Sequence, residues 1–215
     1  MPQAFPGIAA LVLAAGEGTR LGGGKLLLRW RGKPLIRHVL EQVFLVPEFL
    51  SLTVVLGHQA SALERVLEDF PPRRMPFPLR VACNPLWREG QSTSLQCGIS
   101  ALLEGPEAEK VQGVCVFLGD QPLIRAETAD RLCAAHRAAL ARNPAHAASV
   151  PIYGQQRGNP VVLSRSLFPR LSVLRGDTGA RGLLASLGQE VLQVPVCDPG
   201  ILQDVDSPED YAALP

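Results

Sequence analysis

An unbroken apolar stretch, Ile8 to Leu13 behind Pro6-Gly7, runs straight into a loop carrying Gly16, Gly18, Gly22, Gly23 and Gly24 together with Arg20 and Lys25. A short apolar run of this kind suits a strand buried on both faces, and the glycines let the next stretch of backbone turn with its N–H groups exposed. In an open sheet, such a loop lies at the carboxyl end of a strand, where ligands bind. Amides and cations in one loop suit phosphate, which makes a nucleoside triphosphate the leading ligand. A plain turn is the competing reading.

Two familiar glycine loops do not fit. A dinucleotide fingerprint counted from Gly16 and Gly18 puts its last glycine at Leu21, and the next strand, Leu52 to Leu56, ends in Gly57-His58 with no ribose-binding acid. A Walker loop would need Ser or Thr after Gly24-Lys25 and a glycine at Thr19, whereas Leu26 follows Lys25. His58 reads as a loop residue rather than a general base.

The rest of the chain narrows the class. Its 215 residues, 47% of them hydrophobic, can fill one sizeable core, and with no linker or composition break the expectation is a single domain over 1–215. A formal net charge of +1 argues against a broad nucleic-acid surface, so Arg29, Arg31, Lys33 and Arg37 read as a solvated face. No stretch approaches the roughly 18 apolar residues of a membrane span, and no signal-peptide pattern opens the chain. Five scattered cysteines, Cys83, Cys97, Cys115, Cys133 and Cys197, include no C-x-x-C pair and suit a reducing compartment. The protein is expected in the cytoplasm.

Apolar runs alternate with helix-period stretches, which predicts an α/β fold: a three-layer, mostly parallel sheet with helices on both faces. Pro34 is expected as the first residue of a helix carrying Leu35, Ile36, Val39, Leu40, Val43 and Phe44 on one face. Ala60 to Phe70 forms a second stripe ended by Pro71-Pro72, and a strand follows near Leu79 to Ala82. Helices are expected over Ser94 to Leu103 and from about Ala126 to Arg142, and a strand over Val114 to Leu118. Beyond these come a strand over Ala147 to Val150, a turn from Tyr153-Gly154 through Asn159-Pro160 into Val161 to Leu163, and Gly176–Arg181 preceding a helix to Leu187. A last strand lies near Val191 to Val196, and Ser207-Pro208-Glu209-Asp210 has capping-box spacing at a terminal helix.

Two carboxylates complete the chemical pattern. Transfer of a nucleotide brings a nucleophile up to a phosphorus shielded by anionic oxygens, so the site calls for a divalent metal and cations on the departing pyrophosphate. Asp120 follows the Val114–Leu118 strand in Gly119-Asp120-Gln121-Pro122, and Asp206 lies just before the last helix. Magnesium takes one or two protein carboxylates and completes its shell with water and phosphate oxygens, so Asp120 and Asp206 suffice. An Asx turn at Asp120 and a cap or loop role at Asp204 or Asp206 are the alternatives.

Nearly the whole chain resembles the molybdenum cofactor cytidylyltransferases, within the nucleotidyltransferases that carry a glycine-rich loop on a Rossmann-like domain. The resemblance lies in LAAGEGTRLGGGK at 13–25, Gly90 with Ser94-Leu95 and Gly98, GDQP at 119–122, GNP at 158–160, GDTGAR at 176–181 and DVDSPEDY at 204–211. It implies Mg2+-dependent, or Mn2+-dependent, attack of the molybdopterin phosphate on the α-phosphate of CTP, giving the cytosine dinucleotide and pyrophosphate. Carried over, Arg20, Lys25 and Asp120 would be catalytic, and Asp120 and Asp206 would hold the metal. Leu13, Ala14, Ala15, Gly16, Gly18, Arg20, Lys25, Asn84, Gly90 and Ser94 would bind the nucleotide, with Glu89 to Leu95 on base and ribose. Gly158, Asn159, Pro160, Gly179 and Arg181 would shape the pterin side.

Ala15, where related guanylyltransferases tend to have glycine, favours cytosine, and Leu21 replaces a frequent methionine. The resemblance further implies transient contact with an apo molybdenum hydroxylase. Guanylyl transfer to the same cofactor, nucleotidyl transfer to a sugar or polyol phosphate, and a nucleotide-binding insertion chaperone without transferase activity are the other readings.

Overall fold

The computed structural model describes residues 7–69 and 76–215. Pro6, Phe70, Pro71 and Pro72, to which the sequence assigns a strand lead-in and a helix end, lie outside them. In chain order the strands are β1 (Gly7–Ala14), β2 (Arg29–Trp30), β3 (Lys33–Pro34), β4 (Phe49–Leu56), β5 (Leu79–Cys83), β6 (Val111–Leu118), β7 (Ala148–Tyr153), β8 (Gln156–Arg157), β9 (Val161–Ser164) and β10 (Val191–Pro195). The helices are α1 (Leu35–Phe44), α2 (Ala60–Glu68), α3 (Gln91–Leu103), α4 (Ala126–Arg142), α5 (Phe168–Leu171), α6 (Arg181–Leu187) and α7 (Pro208–Ala212).

The main sheet has the order β10-β7-β9-β6-β1-β4-β5, with β8 paired to β7. Strands β5, β4, β1 and β6 run parallel, while β9 runs antiparallel to both β6 and β7. The parallel block is the expected Rossmann-like core, and it brings the carboxyl ends of β1, β4 and β6 to one edge.

Side-chain alternation along β1 divides the core into two layers. Ile8, Ala10, Val12 and Ala14 face α1 and α4, packing with Ile36, Val39, Phe117 and Leu132. Ala9 and Leu11 face the other way, toward Leu95, Ile99, Val116 and Leu184 on and around α3 and α6. Both faces of β1 are therefore dry, which is why its sequence is continuously apolar instead of alternating.

The expected elements are present, with shifts at their ends. Helix α3 begins at Gln91, one turn before the expected Ser94, because Gly90 turns the chain into it. Pro34 precedes α1: its ψ of 144° is extended, and it pairs with Arg29 across a small β2–β3 hairpin turned at Arg31-Gly32. A two-residue strand has too short a pattern to show by periodicity. The capping box at the start of α7 is formed as expected, with Ser207 and Asp210 exchanging side-chain and backbone bonds.

Candidate active site

The loop after β1 winds on itself. Gly18, Gly22, Gly23 and Gly24 all have φ between 64° and 82°, the left-handed region that a Cβ disfavours. The amides of Leu21 to Gly24 bond to the carbonyls of Glu17, Gly18 and Thr19, leaving those of 16–20 outside that internal set. Leu13 to Thr19 line a cavity of about 580 Å3. Exposed N–H groups on a concave surface are suited to anions.

Lys25 occupies the first position after the loop and turns inward. Its Nζ donates to Asp120 Oδ2 and to Asp206 Oδ1, both at 2.5 Å. Two carboxylates 86 positions apart in the chain thus lie within about 5 Å of each other, around one cation. Burial disfavours the ammonium, but the Asp120 charge and the hydrogen bonds to both carboxylates outweigh it and hold the Lys25 pKa above the usual lysine value.

Backbone pairing explains the convergence. Asp120 follows β6, and the Val205 N–H donates to its carbonyl at 2.9 Å, docking the Asp204–Asp206 segment beside the strand end. Gln121, 2% exposed, donates from its side chain to the Asp204 carboxylate. Burial and the neighbouring Asp120 charge raise the Asp204 pKa, partly offset by that Gln121 bond. Asp120 Oδ1 is buried with no hydrogen-bond partner among the described residues, an orphan acceptor beside the shared cation position. Two carboxylates at this separation, one with an unsatisfied oxygen, match what a small hard cation takes from protein before phosphate and water complete its shell.

A second cavity, of about 600 Å3, adjoins the first and shares Leu13, Gln91, Leu118, Asp120 and Asp177 with it. Asp204 and Asp206 stand on its wall, as do Arg157 and Arg181. The GNP turn contributes Gly158 and Asn159: the Asn159 N–H donates to the Ile201 carbonyl at 3.0 Å. Gly179 and Arg181 enter from the GDTGAR segment.

Most of the sequence-derived site residues are therefore gathered at one sheet edge. Leu13, Ala14, Ala15, Gly16, Gly18, Lys25, Ser94 and Asp120 line the first cavity, and Gly158, Asn159, Gly179, Arg181 and Asp206 the second. Pro160, the residue after Asn159, is in neither lining. Arg20 is exposed and stands near α7, where its charge helps lower the Asp210 pKa behind the larger effect of the Ser207 hydrogen bond. Asn84 is 4% exposed and spends its amide on the hydroxyls of Thr93 and Ser94, at 2.9 and 3.0 Å. A Cβ on Gly90 would lie 2.4 Å from the Gly176 carbonyl carbon, so that glycine lets the GDTGAR segment cross the start of α3.

Sequence reasoning passed over Trp87 and Arg88 on the first cavity and Arg157 on the second. An aromatic residue beside an arginine in a loop looks like ordinary surface. Only the adjacency of β1, β4 and β5 brings Trp87 to the glycine loop.

The fold is that of an α/β protein of the nucleotidyltransferase kind. The profile of the MobA-like NTP transferase domain matches residues 10–191, and the chain belongs to that family. It is 31% identical over 212 residues to the nicotine blue oxidoreductase of Paenarthrobacter nicotinovorans, covering 98% of this chain and 97% of that one. The crystal structure of Rv0371c from Mycobacterium tuberculosis H37Rv superimposes with a TM-score of 0.74 at 28% identity, covering 96% and 95% of the two chains. A complex of Rv0371c with manganese, from the same organism, gives a TM-score of 0.70 at 27% identity, with 96% of each chain covered. Among the described residues no helix is long and apolar enough to cross a membrane.

Proposed function

We propose that the protein transfers a nucleotide from a nucleoside triphosphate in the first cavity to the phosphate of a small acceptor in the second. The observation that carries this reading is the shared wall: the two cavities meet at Asp120, beside the Lys25–Asp120–Asp206 cluster. A donor α-phosphate and an acceptor phosphate placed on either side of that wall would approach each other there. Proximity of two bound reactants is itself a large part of such catalysis.

The residues divide the work. Amides of the glycine loop and the Lys25 ammonium receive the triphosphate, and Lys25 neutralises charge on the departing pyrophosphate. Arg157 and Arg181, on the second cavity, give an anionic acceptor two guanidinium partners. An acceptor phosphate oxygen forms the new bond to the α-phosphorus, and the bond from that phosphorus to the bridging oxygen of pyrophosphate breaks. A phosphate is already ionised near neutral pH, so no general base is assigned. Asp120 and Asp206 would hold a divalent ion, Mg2+ or the Mn2+ named with Rv0371c, whose chemistry is charge stabilisation on the phosphate oxygens.

The narrower form of the reading, CTP as donor and molybdopterin as acceptor, draws its support from Ala14-Ala15-Gly16 and from the GNP and GDTGAR segments on the second cavity. A sugar or polyol phosphate suits the same two arginines. Delivery to an apo molybdenum hydroxylase belongs to the molybdopterin form alone.

Purified protein with Mg2+ is incubated with each of the four nucleoside triphosphates against molybdopterin and against sugar and polyol phosphates, scoring pyrophosphate release and product mass. A dinucleotide or nucleoside-diphosphate product supports transfer and names the acceptor. Metal-dependent nucleotide binding without pyrophosphate release in any combination contradicts it.

A further inference from the structure

Phosphate chemistry leaves one part of the first cavity unexplained. Its wall also includes Trp87 and Arg88, on the loop between β5 and α3. The indole is firmly seated. A Cβ on Gly57 would lie 2.7 Å from the Trp87 Cβ and 2.8 Å from the Ala15 carbonyl oxygen, so the tryptophan packs on bare backbone next to the glycine loop. The His58 ring meets it edge-on, with centroids 5.3 Å apart, and the Arg88 guanidinium lies over it at 4.3 Å.

The segment on either side is tied down by buried polar groups. Asn84 Oδ1 accepts from the Leu86 N–H at 2.9 Å, and the Thr93 hydroxyl lies 2.9 Å from the carbonyls of both Leu86 and Gly90. Asn84 and Thr93 therefore fix both ends of the Trp87 turn to the start of α3. A large aromatic residue this well held on a cavity wall is a preformed surface.

We infer that Trp87 and the Arg88 guanidinium lying over its ring together form the platform on which the donor's nucleobase rests, and that this pair positions the base and sets nucleotide affinity. The inference rests on the proposed nucleotidyl transfer. A planar π-system finds a stacking partner in an indole and in a guanidinium, and such stacking tolerates every base. Choice among bases then falls to polar groups on the same wall, of which Gln91 and Ser94 are two.

The chain has two tryptophans, and Trp30 stands on the β2–β3 hairpin with its Nε1 donating to the Pro215 carbonyl. W30F leaves Trp87 as the sole tryptophan, whose emission is read by excitation beyond the tyrosine absorption band. This variant is titrated with each nucleoside triphosphate and with inorganic triphosphate, alongside calorimetry. Every nucleotide that binds is expected to quench Trp87 emission, and inorganic triphosphate is not. W87A is expected to weaken nucleotide binding and raise the nucleotide KM about tenfold with kcat within about threefold, and W87F to recover most of the loss, the scale expected for one stacked base. Calorimetric binding with no quenching and with unchanged affinity in W87A overturns the platform and leaves the transferase standing. Absence of binding by any nucleotide overturns both.

Discussion

Lys25 and a divalent cation would draw on the same two carboxylates. The lysine side chain is 10% exposed and the Asp120 side chain 21%, so this pair is shielded, while Asp206, at 44%, is open to solvent screening. Removing the ammonium leaves two carboxylates facing each other. K25M should therefore lose about 1–2 kcal/mol without metal, a few degrees in Tm. Mn2+ should raise its Tm by more than it raises that of the parent protein, because no lysine has to be displaced. Scanning calorimetry with and without Mn2+ measures both quantities, and equal shifts would refute the shared use of the two acids. D120N is expected to lower kcat by at least about a hundredfold, the loss of several kcal/mol of metal charge stabilisation, with the fold retained. Wild-type turnover in D120N would strip Asp120 of its role. At this scale the glycine loop and Asp120 are legible in the chain because each follows a buried strand, and Lys25 because it closes that loop. Asn84 is less so: the same residue type serves a ligand or a turn, and its bonds to the Thr93 and Ser94 hydroxyls appear only once the chain is folded.

Elements are held to one another by buried polar groups that periodicity does not reveal. Asp198, 3% exposed, accepts from Thr128 Oγ1 at 2.7 Å and from the Arg125 and Gly200 amides at 3.1 and 3.0 Å, joining the chain after β10 to the start of α4. D198A strands three donors and should cost about 3 kcal/mol, read from the urea midpoint at constant m-value; a loss under about 0.5 kcal/mol would show that the joint is not structural. A second joint is the pair His136 and His146, which share the Ser149 hydroxyl at 2.9 and 3.0 Å between α4 and β7. Burial, helped by the charges of His146 and Arg137, lowers the His136 pKa from 6.5 to about 3. Between those values the unfolded chain holds more protons than the folded one. Stability is thus complete above pH 6.5 and falls as the pH drops toward 3, by up to about 1.4 kcal/mol per pH unit. Urea titrations at pH 7, 5.5 and 4.5 should give a shallower pH slope in H136N, and an unchanged slope would contradict this. The helix stripes and the dry strands β1, β4 and β6 were readable because burial on one or two faces leaves a period. The β2–β3 hairpin and α5 are too short to carry one.

For the molecule as a whole, the parallel order β5-β4-β1-β6 does what no local pattern announces. It sets the carboxyl ends of these four strands side by side and lets a segment 84–86 residues further on dock against Asp120 through the Val205 amide. The α/β class and the two acids could be proposed from the chain, but their meeting depends on long-range pairing, as does the approach of Trp87 to the glycine loop. The two cavities meet at Asp120, and in the proposed transfer Asp120 and Asp206 would grip one cation at that junction. Electron paramagnetic resonance titration of Mn2+, in the presence of a non-hydrolysable CTP analogue, tests it most directly in the parent protein, D120N and D206N. Each substitution is expected to weaken Mn2+ binding by at least about tenfold, the scale of one lost charged ligand. Parent-level affinity in either variant would contradict it.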